Sequence, residues 1–106
     1  MKNVYSIVLA VFFAAQPVMA YDTGAMTCDD IGKFAATLMS DREKGQKKEE
    51  ALETVNHQEW TGDVEKGNMI VIVNLIHGRV GNQLADAKAA YGIIRRDCEF
   101  GQPRQR

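Results

Sequence analysis

The sequence predicts an all-α fold, a small bundle of about four helices whose first and last members run antiparallel and are linked by one disulfide. Three observations carry this. Apolar residues recur at helical spacing in two long segments: Cys28, Ile31, Phe34, Ala35 and Leu38 near the start, and Leu84, Ala87, Tyr91, Ile94 and Cys98 near the end. One segment alone is rich in β-branched residues, so a strand there would find no partner within the chain and would leave its backbone hydrogen bonds unmade. The chain's two cysteines, Cys28 and Cys98, fall at opposite ends of the two helical segments, each on its apolar seam.

The chain opens with MKNVYSIVLAVFFAAQPVMA, where Lys2 precedes an apolar run from Val4 to Ala15 that has no polar face and is too short for a membrane span. This reads as a secretory signal peptide over residues 1–20. Val18 and Ala20, behind the helix-breaking Pro17, are small residues placed for cleavage before Tyr21. The mature chain, 21–106, is then a single helical domain ending in a short basic tail at about 100–106. Its bacterial location would be the periplasm, with the extracellular space as the alternative.

The first helix is expected over about 28–44. Thr27 caps it, Asp30 lies three residues on in a variant of the capping box, Asp29 and Asp30 suit the positive end of the dipole, and Gly45 is a natural stop. A second, surface helix over about 47–58 has strong helix formers and a narrow apolar stripe of Ala51, Leu52 and Val55. The next segment, HQEWTGDVEKGN, carries Gly62 and Gly67 with few apolar residues and reads as a mobile loop. Trp60 is its one large apolar residue, placed either as a lid over the core or as an exposed binding anchor.

In NMIVIVNLIHG the run Ile70 to Val73 favours a strand by propensity. Without a second β-rich segment the expectation is a short buried helix over 69–77, capped by Asn68 and stopped by Gly78; strand pairing across a dimer would satisfy the same backbone. The last helix is expected over about 83–99 with Asn82 as its cap. If Cys28 bonds Cys98, facing positions of the two helices sum to about 126, which brings Gly92 near Phe34, where it either makes room for that ring or is merely tolerated.

Three readings of the cysteines compete: a Cys28–Cys98 disulfide, a redox-active or intermolecular thiol, and a metal site completed by His57 and His77. Export favours the disulfide, and closing a loop of this length stabilises a small domain by about 4 kcal/mol in the chain-entropy model. The metal reading lacks the close ligand pair that structural zinc sites use, so no metal and no cofactor are expected.

Catalytic groups are scarce. Ser40 is the sole serine beyond the signal segment, and neither histidine has a neighbouring nucleophile or orienting group. Asp29 with Asp30 and Glu49 with Glu50 read as a helix first turn and an exposed face rather than an acid/base pair, and no glycine-rich phosphate loop is present. The expected protein is not an enzyme; a hydrolase is a distant third reading. With twelve basic against fourteen acidic residues after Lys2 is removed, the chain has no concentrated basic surface to suit a nucleic-acid or membrane partner.

In size, export and a single bridge, the chain is similar to small helical periplasmic proteins such as acid-stress chaperones and the immunity proteins that neutralise secreted toxins, a likeness that carries over no individual residue. Two functions follow as expectations. The first is a binding protein whose partner is another envelope or secreted protein, with Trp60, Asp63 and Glu65 as its contact surface. The second is an acid- or envelope-stress chaperone, resting on the fourteen acidic residues, whose protonation in acid would leave a strongly positive chain held compact by its bridge.

Overall fold

The computed structural model describes residues 22–101; the expected signal segment, its cleavage site and residues 102–106 of the tail lie outside them. Among the described residues there are five helices and no strand: α1 (Cys28–Glu43), α2 (Lys48–His57), α3 (Asp63–Ile76), α4 (Arg79–Asn82) and α5 (Ala87–Gly101). The all-α reading and the antiparallel pairing of first and last helices hold, with α4 as a single turn that the sequence did not announce.

The start of α1 is the capping box that its sequence predicts. Thr27 Oγ1 accepts from the Asp30 N–H at 3.0 Å, and Asp30 Oδ2 accepts from the Thr27 N–H at 3.1 Å. At its other end Gly45, with φ +107°, closes a Schellman motif in which the Gln46 N–H reaches Asp41 O and the Gly45 N–H reaches Arg42 O, both at 2.9 Å. Helix α1 is the centre of the molecule, with α5 antiparallel along one side and α3, itself packed on α2, along another. Ile31, Ala35, Leu38 and Met39 of α1, Met69, Ile72, Val73 and Ile76 of α3, and Ala90, Ile94 and Cys98 of α5 share one core, closed at its edge by Ala51 and Val55 of α2.

Cys28 and Cys98 are joined, with Cα atoms 5.5 Å apart. The glycine that lets α1 and α5 approach is Gly32. A Cβ there would lie 3.0 Å from both Arg95 Cβ and Tyr91 Cδ1, whereas a Cβ at Gly92 would meet nothing within 4 Å. Gly92 therefore does not make room for Phe34; it lies exposed on the outer side of α5, whose expected seam of Ala87, Tyr91, Ile94 and Cys98 does face α1 and the core.

Two boundaries also move. The third helix begins at Asp63 rather than 69, so the second half of the expected mobile loop belongs to α3, and Asn68 is an interior residue rather than a cap. The glycine at 67 costs about 1 kcal/mol inside a helix, but Asp63 and Glu65 suit the dipole of the first turn and the Glu65 side chain is tied into the fold, as described below. The last helix begins at Ala87 rather than 83. Its cap is Asp86, whose Oδ1 accepts from the Ala89 N–H at 2.9 Å, while Asn82 belongs to α4 and Leu84 packs on the core from the connection. At the C-terminal end α5 runs on through Phe100 and Gly101, two residues expected in the tail.

Candidate functional site

Of the three residues expected to form a contact surface, the structure leaves one fully on the surface. Asp63 is exposed in the first turn of α3. Trp60 is half-buried: its Nε1–H donates to Val55 O at 2.9 Å, satisfying a carbonyl at the end of α2, and its ring meets Phe34 edge-on with centroids 6.1 Å apart. It forms the lid of the core. Glu65 is 5% exposed, so it is no surface contact; its Oε2 accepts from the Ala25 N–H at 2.5 Å, directly beneath Gly24. With Asn68 Nδ2, which donates to Asp22 O at 2.9 Å, it straps the segment before α1 onto α3. A carboxylate at this depth is not legible in the sequence, where it reads as one more acidic loop residue.

The disulfide uses both sulfurs, which removes the free-thiol reading and, with it, the thiolates that the metal reading with His57 and His77 requires. His57 is exposed at the end of α2, its Nδ1 hydrogen-bonded to Glu53 O at 3.0 Å. His77 is the C-cap of α3, and its Nε2 is buried without a hydrogen-bond partner, as is Gln46 Oε1 in the connection between α1 and α2.

One polar chain crosses the seam between α1 and α5. Tyr91 donates its O–H to Asp29 Oδ1, Lys33 Nζ lies 2.9 Å from Asp29 Oδ2, and Arg95 donates to the Tyr91 oxygen and to Glu99 Oε2, each at 3.1 Å. The hydrogen bond from Tyr91, then that from Lys33, holds the Asp29 carboxyl below its usual range, and the same bond to Asp29 pushes the Tyr91 phenol up. The group is a clasp between helices.

Two apolar stripes face outward. Val64 and Val71 lie seven residues apart on α3, 41% and 54% exposed, and Ile93 and Phe100 lie seven apart on α5, 46% and 77% exposed. Seven residues is two turns, so each pair lies on one helix face, turned away from the core. A shallow cleft of about 230 Å³ between α1 and α2 has an apolar floor of Phe34, Leu38, Ala51 and Val55. Among the described residues no helix is long and apolar enough to cross a membrane.

No known family model matches the chain, and no curated protein or solved structure is significantly similar to it.

Proposed function

We propose that this is an exported, non-enzymatic binding protein that acts by contact with another envelope or secreted protein. The observation that carries the proposal is the stripe of Ile93 and Phe100 on α5. A phenylalanine side chain gains about 1.5–3 kcal/mol when fully buried, and Phe100 leaves most of that unused in the free protein. The signal-like segment and the disulfide suit an oxidising compartment, and a cross-linked scaffold presents such a stripe at little ordering cost on binding.

The test is chemical cross-linking and capture from a cell-envelope extract, with the mature protein as bait beside its Ile93→Asp and Phe100→Asp variants. Both residues are exposed, so the variants should fold with stabilities within about 0.5 kcal/mol of the parent. Capture of one partner should fall at least about tenfold, the equivalent of 1.4 kcal/mol. Recovery of no partner, or equal recovery by the variants, overturns the reading.

A second reading, an acid-stress chaperone, is favoured by the clasp around Asp29. Asp29 titrates below its ordinary 3.8 when folded, so the clasp's contribution to stability is complete above that value and declines as pH falls through the lower, folded one. A dye-binding and circular-dichroism titration to about pH 2 should therefore show the α1–α5 seam loosening only in the most acidic part of the range. A chain that stays packed throughout, or opens without protecting a client protein from aggregation, removes this reading.

A further inference from the structure

We propose that the junction of α1, α3 and α4 is an acid-sensitive latch, in which protonation of His77 releases α4 and uncovers the C-terminal end of α3. This junction is separate from the α5 stripe and would act whatever partner the protein binds.

The latch is built on close backbone contact. Chain leaving α3 turns back at once, so that a Cβ on Gly78 would lie 2.7 Å from Asn74 O and a Cβ on Gly81 would lie 1.7 Å from Ile76 O. The segment 78–84 thus sits directly on the last turn of α3. A single helical turn has no stability of its own. Three tertiary features hold α4 in place: this seat, the packing of Leu84 on the core, and a hydrogen bond from Arg42 of α1 to Asn82 Oδ1.

His77 lies at the root of the seat. Its Nε2 is buried with no hydrogen-bond partner, an arrangement a neutral imidazole tolerates and an imidazolium, with a buried N–H left undonated, does not. The charged groups that face it are Arg42 from α1 and Lys48 and Glu49 from α2, two cations against one carboxylate; Arg79, at the start of α4, is exposed. Burial first, and then Arg42, push the His77 imidazole below its ordinary 6.5. Where the latch is open the ring regains water and its ordinary basicity.

The direction follows. Because His77 takes up its proton more readily open than closed, the closed latch is fully favoured above about pH 6.5 and loses ground as pH falls from there through the lower, folded value. Opening lifts Gly81 from Ile76, which is completely buried when it is closed, and withdraws Leu84 from the core. It also separates Arg42 from Asn82. The disulfide ties α1 to α5 at Cys28, the opposite end of α1 from Arg42, so the opening is local and the chain stays closed elsewhere.

Amide hydrogen exchange of the oxidised full chain between pH 7.5 and 5, corrected for the intrinsic pH dependence, tests the latch. Exchange over residues 78–84 should rise below pH 6.5 by up to tenfold per pH unit, the limit for uptake of one proton on opening. His77→Gln should flatten that rise, while His57→Gln, which removes the exposed histidine, should keep it. A nuclear-magnetic-resonance titration of the wild-type ring adds a readout that needs no variant, with a His77 midpoint expected below 6.5. Flat exchange in the wild type, an unchanged rise in a folded His77→Gln, or a His77 midpoint at or above 6.5 would each overturn the proposal.

Discussion

Replacing Cys98 by serine is expected to lower the unfolding free energy by about 2–5 kcal/mol, the usual loss for a small secreted domain. The bridge closes a separation of 70 residues, nearly the whole described chain, so its removal frees a large share of the unfolded ensemble's conformations. A native-state cost adds to this. Cys98 is completely buried on the α5 seam, so serine would leave a hydroxyl in the core where a sulfur now packs against α1. Urea unfolding of the oxidised parent and the variant measures the difference, and the variant should also show a larger m-value because its unfolded state exposes more surface. Chemically reduced parent should unfold close to the variant. Two free thiols in the parent under denaturing, non-reducing conditions would exclude the bridge altogether.

The parts of this fold that were legible in the sequence are those set by local rules. The capping box of Thr27 and Asp30, the glycine stop at 45 and the pairing of Cys28 with Cys98 all follow from residue types at fixed spacings, and the pairing then fixes the register of α1 against α5. Register does not fix rotation. Gly32 and Gly92 are both glycines within the paired helices, and only the three-dimensional seam shows that the first meets Tyr91 and Arg95 while the second lies outside the interface.

Tertiary partners decided the rest. Glu65 and Gly67 mark a loop by composition, yet α3 runs through both because the Glu65 carboxylate is satisfied by the backbone of a segment 40 residues earlier. Asn82 and Asp86 are equally good caps by residue type; Arg42 claims the first, leaving the second to start α5. His77 was placed at the end of the third helix by its sequence, but the cations beside it come from α1 and α2, and no local pattern announces them.

A change of one methyl group should distinguish the two kinds of glycine most sharply. Gly81→Ala is expected to destabilise the protein by more than about 3 kcal/mol, beyond the common range for overpacking. The added carbon would fall 1.7 Å from Ile76 O, well inside any tolerable contact, and the atom it meets is backbone rather than the end of a flexible side chain. Neither side can yield cheaply: Ile76 is the last residue of α3 and completely buried, and Gly81 lies within the turn that closes over it. Relief therefore requires α4 to lift from its seat, taking Leu84 with it and giving up the hydrogen bond between Arg42 and Asn82. Gly92→Ala is the matched control. It adds the same methyl inside a helix where nothing lies within 4 Å, so it should stabilise by about 0.5–1 kcal/mol through helix propensity. Thermal and urea unfolding of the two variants should move in opposite directions from the parent, and a Gly81→Ala protein within about 1 kcal/mol of the parent would show that α4 does not rest on the end of α3 in the way that the acid latch requires.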